Sequence, residues 1–190
     1  MRQAMKDEGE GARDGVRGDS APQEDHVDRL RAQWTRELPD LDTEPMAILG
    51  RAKRLSNLVA AGIEDTFAAF DLDRGEFDVI STLRRAGPPY QLTPTEMYTS
   101  LMLSSGGLTH RLSRLEKTGL IRREKSNLDG RSVVVTLLPR GIELAEQAFR
   151  ADMANELLVL QPLNRDERDL LSALLRKLLH SLESQSKPDV

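Results

Sequence analysis

Residues 104–137, SSGGLTHRLSRLEKTGLIRREKSNLDGRSVVVTL, concentrate positive charge in a chain whose formal net charge is -4. From Ser104 to Arg131, seven basic residues (Arg111, Arg114, Lys117, Arg122, Arg123, Lys125, Arg131) stand against three acids (Glu116, Glu124, Asp129). The stretch is therefore locally +4 and the remainder of the chain is -8. Such an asymmetry points to a polyanion-binding face on an acidic body. Catalytic chemistry has no comparable signal. Cysteine is absent, which excludes disulfides, thiol nucleophiles and thiolate zinc sites. The three histidines, His26, His110 and His180, are far apart, and no HExxH, Gly-rich phosphate loop or nucleophile elbow occurs. No enzyme, metal or cofactor is expected.

The basic stretch needs elements to present it, and the periodicity supplies them. In LTPTEMYTSLML, Thr93 suits an N-cap, Pro94 the first helical position and Glu96 the acid of a capping box. A second helix follows, with Ser104 available as its cap, Leu108, Leu112 and Leu115 facing inward and Gly119 as its stop. The period then changes to two. LIRRE and SVVVTL read as strands, and KSNLDGR between them carries the Asn and Asp-Gly of a hairpin tip. Helix, tight turn, helix and hairpin make a winged helix-turn-helix.

A recognition helix in a major groove needs short polar and basic side chains on its outer, N-terminal half. Ser105, Gly106, Thr109, His110 and Ser113 supply them beside Arg111 and Arg114. In the wing, Lys125, Asn127 and Arg131 can reach a flanking phosphate or a minor groove. A purely helical protein-interaction module would explain the flanking helices but not this basic helix and wing.

Both flanks are helical. Val27, Leu30, Trp34 and Leu38 share one face of a helix over 25–38, and a longer helix is predicted from about Thr43 to Phe70, with Met46, Leu49, Leu55, Leu58 and Ile63 as its stripe. A third runs from about Arg74 to Ala86, closed by GPP at 87–89. After Pro139 come two more, one with Ile142, Leu144, Ala148, Met153, Leu157 and Leu160, the other with Leu170, Leu174, Leu178 and Leu179. The expected fold is mainly α with a small β-wing. Its divisions are a disordered tail over 1–22, N-terminal helices over 23–70, the winged helix-turn-helix over 71–138, C-terminal helices over 139–184 and a short tail. Apolar runs are far shorter than a membrane span, and the first residues lack an apolar h-region, so a cytoplasmic protein is expected.

The span from Leu92 to Phe149 resembles the DNA-binding core of a MarR-family transcriptional regulator, including the D-x-R of the wing at Asp129 to Arg131. It also shows a Thr-to-Gly pattern, Thr136 to Gly141, spaced more widely than the family's T-x-x-G. The likeness extends over roughly residues 25–184. It implies a homodimer held by the N- and C-terminal helices, with two winged lobes on successive major grooves of a pseudopalindromic operator.

Within the family, the chain is similar to the urate-responsive, HucR- and PecS-like branch. That branch has an extra N-terminal helix bearing a tryptophan, here Trp34 in RLRAQW. It also has an aspartate and an arginine seven residues apart, here Asp78 and Arg85, and an arginine in the first wing strand, here Arg123. The resemblance implies a repressor released from its operator by a small anionic ligand, with urate or a related purine favoured. Arg85 would pair with the anion and Trp34 would stack on it, while Asp78 would hold Arg123 and so couple ligand to DNA. Citrate-like acids or aromatic carboxylates would suit the same residues.

Overall fold

The computed structural model describes residues 23–101, 107–125 and 133–185. The chain divides into two compact units, Met1–Arg54 and Leu55–Val190.

In the first unit, α1 (His26–Glu37) carries Trp34. Asp25 caps it: one carboxylate oxygen accepts from the amides of Val27 and Asp28, at 2.7 and 2.9 Å, and the Asp28 carboxylate accepts in turn from the Asp25 amide. Arg51 clamps both acids, its Nε 2.7 Å from Asp25 Oδ2 and its Nη2 2.6 Å from Asp28 Oδ1. The guanidinium, together with the amide donors, lowers the Asp25 pKa to about 2. The second helix departs from a uniform α-helix over 43–70. Met46–Gly50 is a π-helical turn, and regular α2 begins only at Arg51 and ends at Ala68. A Cβ added at Gly50 would lie 3.5 Å from the Val27 side chain, so the π turn passes close to α1.

The second unit holds the core. Helix α3 (Arg74–Arg85) starts with a reciprocal capping box between Asp73 and Glu76, and residues 75–80 are all buried. Helix α4 (Pro94–Ser100) has the expected Thr93–Glu96 box with Pro94 in its first turn. Helix α5 (Leu108–Lys117) buries Leu108, Leu112 and Leu115 and stops before Gly119, whose φ of 71° is left-handed. Ser104 lies outside the described residues, and the position before α5 is held by Gly107 at φ 79°.

The hairpin is present. β2 (Ile121–Lys125) pairs antiparallel with β3 (Val133–Leu137), Arg123 opposite Val135. Of the expected tip KSNLDGR, Lys125 ends β2, and Ser126 to Arg131 lie outside the described residues. A third strand that periodicity did not suggest, β1 (Gln91–Leu92), pairs with β3 to give the order β1-β3-β2. Two residues are too few to show an alternating pattern.

Helix α6 (Pro139–Val159) follows directly, with Leu138 as N-cap and Pro139 in the first turn. Thr136 is inside β3, so the wide Thr-to-Gly pattern is not a capping motif: the residue at the cap is a leucine, which offers no side-chain bond. Gly141 sits against the chain leaving α5, where a Cβ would overlap the carbonyl oxygen of Leu120. Phe67 and Phe77 stack at 4.0 Å in a core completed by Val79, Ile80, Leu83, Met97, the three leucines of α5, Ile121, Val135 and Ala148. The last helix, α7 (Arg165–Gln185), buries none of its residues within the single chain.

Candidate nucleic-acid interface and ligand site

Because Leu108, Leu112 and Leu115 point into the core, α5 must turn Thr109, His110, Ser113, Arg114 and Lys117 outward, and all five are exposed. This is the short polar and basic face that groove recognition requires. Lys125 is exposed at the end of β2. Ser105, Gly106, Asn127 and Arg131, also named for DNA contact, lie outside the described residues.

Arg114 and Arg123 are held by acids that the periodicity did not single out. Arg114 Nε is 3.0 Å from Glu76 Oε1, with the arginine side chain 51% exposed and the glutamate 2%. Arg111 lies over the first turn of α3, so close that a Cβ at Gly75 would overlap its guanidinium. Arg123 turns to Glu116 on α5: its Nη2 is 2.5 Å and its Nε 2.9 Å from Oε2, and its backbone amide donates to Oε1 at 3.1 Å. The guanidinium bonds lower the Glu116 pKa. Arg123 thus has a partner in Glu116, seven residues back, because the first wing strand leaves α5 through a tight turn and returns beside its last turn. A signal for Glu76 was available in the D-x-x-E spacing of Asp73 and Glu76.

Of the three ligand candidates, Asp78 and Arg85 sit two turns apart on α3 in very different surroundings. Asp78 is 6% exposed in the middle of the helix, whereas Arg85 is on the surface in its last turn and donates to the carbonyl of Ser100 at the end of α4. Its neighbour Arg84 is committed elsewhere, to Glu146 on α6 at 2.7 Å and over the ring of Tyr90. Arg85 is therefore the member of the Arg84-Arg85 pair placed to meet a solute. Trp34 belongs to the first unit, on α1, and is 49% exposed. A groove of about 510 Å³ is lined by Leu160 and by Leu171, Leu175, Leu179 and His180 of α7, and neither Asp78 nor Arg85 contributes to it. Among the described residues there is no cluster of three or more metal-ligating side chains, and no helix is long and apolar enough to cross a membrane.

Residues 70–132 match the model of the MarR family. The HTH-type transcriptional regulator PecS of Dickeya dadantii is 38% identical over 80% of this chain and 92% of its own length. Among solved structures, a mutant MarR from E. coli complexed with operator DNA superposes with a TM-score of 0.60 at 26% identity, over 77% of this chain and 97% of that one. AbsC of Streptomyces coelicolor, a MarR family transcriptional regulator, matches in fold with a TM-score of 0.66 at 19% identity, over 76% of this chain and 97% of that one. These are proteins of gene regulation rather than catalysis, and the chain belongs to the MarR family of transcriptional regulators.

Proposed function

We propose that the chain is a homodimeric repressor that reads a pseudopalindromic operator with α5 and is released by a small planar anion, urate or a related purine being favoured. The observation that carries the DNA half is the outer face of α5, where Thr109, His110, Ser113 and Arg114 stand exposed over a leucine face locked into the core. Arg111 and Arg114 are the candidate readers of base edges, and Lys125 and Arg131 of the wing are the candidate phosphate contacts. Likeness to an operator-bound MarR supports the same placement.

The dimer is supported by α6 and α7. Leu157, Leu170, Leu174, Leu178 and Leu182 are each about half exposed or more in the single chain, an apolar surface that a second copy would cover.

For the ligand half, Arg85 supplies a surface guanidinium in the last turn of α3 and Asp78 is two turns earlier; Trp34, the candidate aromatic named from the family resemblance, is half exposed on α1. Glu116 holds Arg123, so a link from Asp78 to Arg123 requires that pair to open. Release of DNA needs a coupling of about 1–3 kcal/mol. The test is a urate titration followed both by Trp34 fluorescence and by mobility shift on the DNA upstream of the protein's own gene. Urate should quench the tryptophan and release the DNA, and Arg85→Ala should abolish both effects while leaving binding without urate intact. An Arg85→Ala protein that responds like the parent would remove Arg85 from the site. Failure of any purine to act would end the ligand assignment.

A further inference from the structure

Building on the DNA-facing role proposed above for α5, we infer that the first turn of α3 is the positioning device for its two arginines: Glu76 aims Arg114, and Gly75 gives Arg111 its resting place. A D-x-x-E box ordinarily accounts for a glutamate at this position as a helix cap alone. Glu76 does more, because its two oxygens have separate duties. Oε2 accepts the Asp73 amide at 2.9 Å and closes the cap, while Oε1 faces α5 and takes Arg114 Nε at 3.0 Å. The carboxylate is almost fully buried, and a buried charge requires strong partners.

The arginine end of the pair is half exposed, and its shortest contact with Glu76 is through Nε, the nitrogen at the inner end of the guanidinium, while the fork of Nη donors lies beyond it. Those are the donors that a guanine edge takes bidentately. A long flexible side chain tethered at Nε loses fewer rotamers when it meets a base, so the tether raises affinity and sharpens selectivity together.

Gly75 serves the same purpose by absence. A Cβ there would occupy the space of the Arg111 guanidinium, which would have to move, since it is the flexible end of a side chain. Helix α3 also carries Asp78 and Arg85, so the helix proposed to sense the anion is the one that holds the reading arginines.

Glu76→Gln is the decisive variant, since Gln satisfies the capping box but removes the charge that holds Arg114. Operator affinity should fall roughly three- to tenfold, with the loss concentrated in relaxed preference at one operator position, and the melting temperature should change little. Glu76→Gln/Arg114→Ala, which leaves no unpaired buried charge, should lose further affinity and all preference at that position. Gly75→Ala should keep or raise the melting temperature, because alanine favours the helix, and should still alter preference at a different position.

If the double variant is weaker than Glu76→Gln while Glu76→Gln matches the parent, Arg114 touches DNA but Glu76 does not aim it, and the inference is overturned. Uniform weakening on every DNA sequence would likewise reduce Glu76 to a cap. If the double variant equals Glu76→Gln, Arg114 does not touch DNA, and the DNA-facing role of that residue falls with the inference.

Discussion

Helices α5 and α7 carry leucines at the same three- and four-residue spacing, yet Leu108, Leu112 and Leu115 are at most 4% exposed while Leu170, Leu174 and Leu178 are 47–61% exposed. Periodicity states only that a helix has an apolar face. What covers the face is a tertiary matter, and here the two helices give different answers. The face of α5 is covered by α3 and β2 of the same chain, which holds its opposite side outward as the surface proposed to read DNA. The face of α7 is uncovered in the single chain, and a second copy is its proposed occupant, as two-fold operator recognition would require.

The contrast breaks most visibly at α7. Replacing Leu174 and Leu178 together by Glu should weaken dimerisation by at least about a hundredfold, since each fully buried leucine contributes about 1.5–3 kcal/mol. Sedimentation should show monomers, and a protein that remains dimeric would place the interface elsewhere. Leu112→Ala in α5 should do the reverse, costing about 2–5 kcal/mol of stability in a thermal melt while leaving the dimer face untouched. A smaller loss is expected at Gly141→Ala, about 1–3 kcal/mol, because its Cβ would meet the backbone carbonyl of Leu120 and neither side can retreat easily.

Most of the architecture was legible in the sequence because its signals are local. The Thr93–Glu96 box, Gly119 as a stop, the leucine spacing of α5 and the change to period two at Leu120 each depend on a few adjacent residues. The π turn at Met46–Gly50 and the two-residue β1 leave no such trace, since one lies where the chain passes close to α1 and the other depends on pairing with a strand more than 40 residues away. The exposed face of the candidate site was legible for the same reason as the helix. Its supporting acids were less so: Glu116 shows only as an acid in a basic run, and Glu76 shows as a cap, while their second partners come from folding.

The finest distinction is in acid. Glu116 and Asp25 have pKa values lowered by Arg123 and Arg51, so what each pair contributes is complete above the ordinary carboxylate range and lost as pH falls through the lowered value, about 2 for Asp25. Asp152 and Glu156 on α6 have pKa values raised by burial, and their sign is opposite: the fold prefers them protonated, and stability falls as pH rises through the interval above the ordinary carboxylate range. Replacing Asp152 by Asn should therefore flatten the upper part of a stability–pH curve, and Glu116→Gln should flatten the acidic part. Identical curves for the two variants would show that the carboxylates are not distinguished by their surroundings.

The central claim is that two copies, joined through the exposed apolar helices, present two α5 faces to one DNA. Hydroxyl-radical footprinting of the parent chain on its operator tests it most directly. Two protected half-sites related by a two-fold axis and centred about 10 base pairs apart are expected, with affinity falling steeply as salt rises. A single unsymmetrical footprint, or binding indifferent to salt, would contradict it.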